Sequence, residues 1–264
     1  MKTDLSKIRR YELKYTIDPF LAEKIRDYIQ PVCSLDEHAA PETGGYRVNN
    51  LYFDTPDLRF YYDTKHRKLD RFKPRVRYYG DAPEDWLWLE LKHKHASIVW
   101  KNRRRIPLSD WPQIMQVGPT ERLSPEIKDL RGSFEEWLQN FDARPTVHVR
   151  YWREPYVSDL EEYGRVTFDW NLSYRLAKGS SALTGKDDDM VFYDDPVTTG
   201  HSGSPVILEI KTLTLVPAWV IGLIRRFNLM QRGFSKYCYG IDHCTSVNNP
   251  DRRFALDPVL SAMF

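Results

Sequence analysis

Lys, Arg and Glu recur at alternate positions in this chain, in sets that suit one kind of chemistry. The sets are Arg10, Glu12 and Lys14; Lys73, Arg75 and Arg77; Glu90, Lys92 and Lys94; Lys101, Arg103 and Arg105; and Glu209 with Lys211. Arg150 and Arg165 belong to the same pattern, and Lys236 sits between Ser235 and Tyr237. An Arg guanidinium grips two phosphate oxygens at once, while Lys offers a compact point charge. A carboxylate among them can hold Mg²⁺ or Mn²⁺, which prefer oxygen ligands and keep water beside phosphate. Phosphoryl transfer needs positioning and charge neutralisation more than a covalent nucleophile. The ligand that fits is a polyphosphate or a nucleoside triphosphate with its divalent ion. There is no Gly-x-x-x-x-Gly-Lys loop, which argues against a P-loop enzyme. No Ser-His-Asp order or Cys/His cluster stands out.

A β-strand sends successive side chains to opposite faces, so each run puts its charges on one face and its apolar residues on the other. The apolar sets are Tyr11, Leu13 and Tyr15; Val76 and Tyr78; Leu89 and Leu91; Val166, Phe168 and Trp170; and Leu208 with Ile210. A solvated, charged face is ordinary for an antiparallel sheet, and for any one strand that is the better reading. Three features set the group apart. Cations dominate the charged face. A Glu-x-Lys step recurs at Glu12/Lys14, Glu90/Lys92 and Glu209/Lys211, far apart in the chain. The apolar face is bulky enough to require helices over it, which turns the charged face inward. An interior lined with like charges must be wet and hold counter-charge.

The periodicity predicts strands over 7–17, 46–54, 73–79, 86–94, 100–107, 146–156, 164–173 and 206–212. Helices are expected from Asp18-Pro19, a cap followed by a first-turn proline, to about 30, and over 109–117, 124–141 and 217–227, with a short helix or turn over 56–63. Gly80-Asp81-Ala82-Pro83 reads as a hairpin turn. The stretches 34–45 and 178–204 read as loops, and the tail beyond Tyr237 carries weak structure signals. No repeat or low-complexity linker divides the chain, so 1–264 reads as a single domain with a core over about 7–245 and a tail over 246–264. A mainly antiparallel sheet of this many strands must manage its edges, and closure into a barrel does so.

The net charge of +2 predicts no nucleic-acid partner; the cationic signal is local. No apolar run approaches the roughly 20 residues needed to span a bilayer, so no direct membrane insertion is expected. The charged start, Met1 to Tyr15, lacks a signal-peptide core. Cys33, Cys238 and Cys244 are odd in number, without metal-ligand spacing, and read as reduced thiols of a cytoplasmic protein.

Arg10-Tyr11-Glu12-Leu13-Lys14-Tyr15, Leu51-Tyr52-Phe53-Asp54-Thr55, Arg75-Val76-Arg77, Glu90-Leu91-Lys92-His93-Lys94, Glu209-Ile210-Lys211 and Ser235-Lys236-Tyr237 together resemble the VTC domain. This is the catalytic domain of the vacuolar transporter chaperone polyphosphate polymerases, in the triphosphate tunnel metalloenzyme (CYTH-like) superfamily. The resemblance implies a mainly β (α+β) fold: a closed, eight-stranded antiparallel β-barrel tunnel with peripheral helices. It implies transfer of the terminal phosphate of ATP to a growing polyphosphate chain, with Mn²⁺ or Mg²⁺. Carried over by position, Lys14, Arg75, Arg77, Lys92, Arg150, Arg165, Lys211 and Lys236 would bind phosphates, and Glu209 would hold the metal. Glu12 and Glu90 are placed to assist the metal or orient cations, and Asp169 could act likewise. Arg10 and Lys94 are further substrate-binding candidates; one more basic residue of the family falls in the 101–105 run, where Arg103 and Arg105 fit about equally.

The eukaryotic polymerases add a regulatory domain before the tunnel and membrane-spanning segments after it. Neither is read here, and a separate membrane protein is the partner such a chain would need for translocation. Arg10 stands where the hydrolytic and cyclising relatives place the first Glu of a Glu-x-Glu step, which leans toward the polymerase branch. The alternatives are hydrolysis of triphosphate or nucleoside triphosphates in the same tunnel, and a non-catalytic polyphosphate-binding module. His93, His95 and His148 read as packing or solvated groups, and Asp187-Asp188-Asp189 as a solvated run. Tyr61, Tyr62 and the tryptophans read as core or rim, although an aromatic at the tunnel mouth could stack on adenine.

Overall fold

The alternating runs become strands in the computed structural model, which describes residues 11–96, 98–116, 134–177, 183, 190–193, 205–213, 215–231 and 233–248. In chain order these are β1 (Tyr11–Ile17), β2 (Cys33–Leu35), β3 (Tyr46–Asp54), β4 (Asp70–Tyr79), β5 (Trp86–His95), β6 (Ile98–Pro107), β7 (Arg144–Ser158), β8 (Gly164–Leu176), β9 (Val191–Phe192) and β10 (Val206–Thr212). The helices are α1 (Pro19–Ile29), α2 (Arg59–Lys65), α3 (Trp111–Gln116), α4 (Phe134–Asn140), α5 (Ala218–Arg226) and α6 (Lys236–Asn248). Asp18 starts α1 by accepting the Leu21 amide at 2.8 Å, and Pro19 occupies the first turn, as its residue types require. Gly80, at φ 86°, turns the β4–β5 hairpin.

Every strand pair is antiparallel, in the order β1-β10-β8-β7-β3-β4-β5-β6, with β2 beside β7 and β9 beside β8. The sheet curls strongly. Six steps along that order separate β1 from β5, about 29 Å in a flat sheet, yet Lys92 Nζ on β5 lies 3.4 Å from Glu12 Oε2 on β1. No pairing joins β1 to β6 among the described residues, so the architecture is an open, curled half-barrel rather than the closed barrel expected.

Two apolar clusters cover the convex face. Tyr15, Ile17, Val166, Phe168, Leu208 and Ile210 pack against α1 and α5. Leu51, Val76, Tyr78, Leu89 and Leu91 pack against α3 and α4. Val166, Phe168, Leu208 and Ile210 are fully buried, each stabilising the fold by about 2 kcal/mol over exposure. The apolar faces are thus where the alternation puts them. A third cluster fills part of the concave side: α6 brings Tyr237, Cys238, Ile241 and Cys244 against Val48, Tyr52, Val147, Val149, Tyr151 and Tyr174. That helix occupies the stretch expected to carry weak structure. Its inward residues keep helical spacing, but Tyr and Cys supply most of them, so the apolar signal in the sequence is faint. The expected helix over 124–141 is described only as α4, and 187–189 and 249–264 lie outside the described residues. Among the described residues no helix is long and apolar enough to cross a membrane.

A one-residue bulge in β8 decides which side chains reach the cavity. Trp152 pairs with Trp170 but Arg150 with Ser173, and Asn171 takes a left-handed φ of 50°. Arg165, Thr167 and Asp169 face inward before the bulge; Leu172 and Tyr174 do so after it. On β7 the inward set is Val147, Val149, Tyr151 and Arg153 throughout.

Candidate functional site: a cation-lined concave face

On the β4–β6 wall one carboxylate organises several cations. Glu90 is 1% exposed. Its Oε2 lies 2.6 Å from Arg75 Nη2 and 4.0 Å from Arg77 Nε; its Oε1 lies 2.7 Å from Lys101 Nζ and 3.1 Å from Arg103 Nε. Burial alone would raise its pKa, but Arg75, Arg77 and Lys101 hold it well below the usual carboxylate range. Register explains the convergence: Arg75 pairs with Glu90 and Glu90 with Arg103, so all three share one face. Arg75 also donates to the Tyr52 hydroxyl at 3.1 Å, and Arg77 to Asn50 Oδ1 at 2.8 Å. Lys101 is pushed down to about 7 by burial and by the neighbouring Arg75.

The β1–β10 wall is more balanced, with two carboxylates beside two lysines of its own strands. Lys14 Nζ lies 2.6 Å from Glu12 Oε1 and 3.8 Å from Glu209 Oε2, while Lys211 Nζ lies 2.7 Å from Glu209 Oε1. Lys92 reaches Glu12 from across the cavity. Burial and the nearby Glu209 raise the Glu12 pKa, yet Lys14, Lys92 and Lys211 bring it down to about 2. Burial opposes ionisation of Glu209 as well, and Lys14 and Lys211 hold it well below its ordinary value. Both carboxylates are therefore charged at neutral pH, close enough to repel each other. That suits a divalent ion held by one or two carboxylates with phosphate oxygens. Among the described residues no three His, Cys, Asp or Glu side chains form a protein-only metal cage.

A third group joins the walls. Asp169 accepts from Arg153 Nε at 2.7 Å and Nη2 at 2.8 Å, and from Lys236 Nζ at 2.6 Å. Lys236 begins α6 and stands 4.6 Å from the Tyr151 ring centroid. One residue earlier, Ser235 accepts from Lys73 Nζ at 3.0 Å. Burial lowers the Lys73 pKa to about 7. Tyr237 donates to Asp54, which also accepts the first-turn amides of α2 from Phe60 and Tyr61 at 2.9 Å. The Leu-Tyr-Phe-Asp-Thr run thus anchors the helix that delivers Lys236.

Lys14, Arg75, Arg77, Lys92, Lys211, Lys236, Glu12, Glu90 and Glu209 all meet on the concave face. Lys94 shares it by register with Arg71, and burial lowers its pKa. Arg103 and Arg105 both lie there by register, as does Lys101. Arg165 faces inward at the rim, half exposed, 3.8 Å from Asp36. Arg150 does not face the cavity. It pairs with Asn49 and Ser173 on the parity of His148, which packs beside convex-side Tyr78. Arg10 lies outside the described residues. His93 is a packing group, stacked between Phe72 and Trp100.

Sequence reading missed Arg153 and Tyr151, and undervalued Lys73 and Lys101. On β7 the inward positions are largely apolar because α6 covers them, so the outward Arg150 looked like the charged face. The stretch from Val147 to Arg153 carried the signal in its odd positions.

Residues 9–244 match the VTC domain. The chain is 25% identical over 167 residues to the vacuolar transporter chaperone complex subunit 4 of Trypanosoma cruzi, a match covering 52% of this chain and 20% of that relative. It therefore spans about a fifth of the relative's length. Among solved structures, a candidate adenylate cyclase of Bacillus halodurans superposes with a TM-score of 0.48 at 11% identity, over 85% of this chain and 92% of that one. A Hippeastrum candidate adenylyl cyclase with a dominant triphosphatase activity gives 0.46 at 13%, over 89% and 96%. With the family's domain matched across nearly the whole described sheet, the chain belongs to the VTC-domain family.

Proposed function

We propose that the chain is a metal-dependent phosphotransferase that moves the terminal phosphate of ATP onto a growing polyphosphate. The observation that carries this reading is the pairing of two ionised carboxylates, Glu12 and Glu209, with a facing wall of cations on one concave surface. Arg75, Arg77 and Arg103, held in orientation by Glu90, bind the triphosphate oxygens. Glu209, helped by Glu12, holds Mn²⁺ or Mg²⁺, which when bound neutralises charge on the phosphate oxygens. Glu90 serves as an organiser of cations, because four of them, Arg75, Arg77, Lys101 and Arg103, surround its single carboxylate.

The terminal oxygen of the chain attacks the γ-phosphorus, the bond to the β–γ bridging oxygen breaks, and ADP leaves. Lys14, Lys92, Lys211 and Lys236 stabilise charge on the transferring group and on the acceptor end. The contact of Lys92 with Glu12 across the cavity supports a tunnel whose edges, β1 and β6, approach around bound polyanion. The test is incubation with ATP and Mn²⁺, following ADP, free phosphate and internal phosphates together by ³¹P NMR. Growing internal phosphate alongside ADP is expected. ADP with free phosphate alone would make the protein a hydrolase, and binding without turnover a polyphosphate-binding module.

A further inference from the structure

At the outer end of the β4–β6 wall, two tryptophans and two arginines interleave on the concave face. The Arg103 guanidinium carbon lies 3.6 Å from the Trp88 ring centroid, and that of Arg105 lies 4.3 Å from Trp86 and 5.9 Å from Trp88. Register produces the ladder, since Trp88 pairs with Arg105 and Glu90 with Arg103. Trp86 is 46% exposed although it stands on the cavity side of the sheet. A large aromatic surface is left open beside a polyanion site, where a merely solvated position would suit Thr or Lys. Arg103 links the two features, because it also contacts Glu90 at 3.1 Å. A guanidinium stacked on indole keeps its N–H donors in its own plane, clear of the ring; Arg103 turns Nε to Glu90 and Nη2 to the Tyr79 hydroxyl at 3.3 Å, leaving Nη1 for a phosphate oxygen. The four residues from Glu90 to Trp86 rise about 13 Å along the strand, a reach comparable to an extended triphosphate with its nucleoside.

We infer that the Trp86–Trp88–Arg105 ladder is a nucleobase platform: the base of a nucleoside triphosphate stacks on Trp86 while its phosphates extend toward Arg103 and the Glu90 cluster. The inference rests on the triphosphate-binding reading above and specifies where the nucleoside lies. The recognition is stacking, so it accepts purines generally and ranks them above pyrimidines through their larger faces.

The test compares ATP with inorganic tripolyphosphate by titration calorimetry, on the wild-type protein, Trp86→Ala and Trp86→Phe. Trp86→Ala should weaken ATP about tenfold, the scale of one base–aromatic stack, with tripolyphosphate affinity unchanged. Trp86→Phe should keep most of the ATP affinity, which separates stacking from disturbance of the edge strand. An ATP-to-tripolyphosphate affinity ratio that Trp86→Ala leaves unaltered would overturn the platform while the phosphate site stands. A parallel loss of both ligands would overturn it too, by showing a structural effect. If the wild-type protein binds neither ligand, the phosphate-binding reading and the platform fall together.

Discussion

On the β4–β6 wall a single carboxylate, Glu90, is surrounded by Arg75, Arg77, Lys101 and Arg103. On the β1–β10 wall two carboxylates, Glu12 and Glu209, share Lys14, Lys92 and Lys211. The residue types are alike, but four cations surround one carboxylate on the first wall while three serve two carboxylates on the second. Where cations outnumber the carboxylate, its charge is spent on keeping them together, and their surplus is available to phosphate. Where two carboxylates lie close together with only a small excess of cations and repel each other, a divalent ion can relieve the repulsion. One wall is suited to grip the polyanion and the other to seat the metal. Glu-x-Lys steps at Glu12/Lys14, Glu90/Lys92 and Glu209/Lys211 look the same in sequence, so the distinction arises only from what the neighbouring strands contribute.

The sharpest way to break the comparison is to neutralise one carboxylate on each wall. Glu209→Gln should cost on the order of 10²–10³ in turnover, with tripolyphosphate binding retained or strengthened because a negative charge is gone. Parallel steady-state kinetics and calorimetry check this, and unimpaired turnover would reject the metal-seat reading. Glu90→Gln should act first on stability. It strands buried cations, a loss of roughly 3–5 kcal/mol, and should lower Tm on the order of 10 °C in a thermal scan. Added tripolyphosphate should restore part of that loss.

A smaller effect separates the two faces of β7. Arg153→Ala should weaken tripolyphosphate binding on the order of tenfold, through a lost charged hydrogen-bond donor and a disturbed Asp169. Arg150→Ala, on the convex parity, should leave that affinity unchanged. Equal losses would show that the bulge does not partition the strand as described. The smallest effect is a pH dependence. Burial holds the Lys73 pKa near 7, and a bound phosphate raises it. The contribution of Lys73 to affinity is therefore full below pH 7 and falls as pH rises above it, by up to about tenfold per unit. Titrations from neutral to alkaline pH should show this limb in the wild-type protein and a flatter profile in Lys73→Met.

Much of this arrangement was legible in the alternation itself. The bounds of β3 and β10 match the periodicity, and Glu12, Lys14, Arg75, Arg77, Glu90, Lys92, Glu209 and Lys211 share the face that period-two spacing assigns them. Three things were not legible. The β8 bulge at Asn171 shifts parity by one residue, which a fixed period of two cannot express. Helix α6 lies on the concave side, so the inward residues of β7 before Arg153 are largely apolar, and alternation alone favours the outward Arg150. The ratio of carboxylates to cations on each wall depends on strand order, which places β10 beside β1 although nearly the whole described chain separates them. Closure is a fourth matter: edge management argued for a barrel, and the described sheet stays open between β1 and β6.

The contrast between the walls is tested most directly by Mn²⁺ binding, read from the free-ion EPR signal in the presence of tripolyphosphate. Glu209→Gln should lose the protein-dependent Mn²⁺ uptake, while Glu90→Gln, at a temperature where it remains folded, should retain it. Uptake that survives in Glu209→Gln and disappears in Glu90→Gln would place the metal on the opposite wall and overturn the division of roles between the two walls.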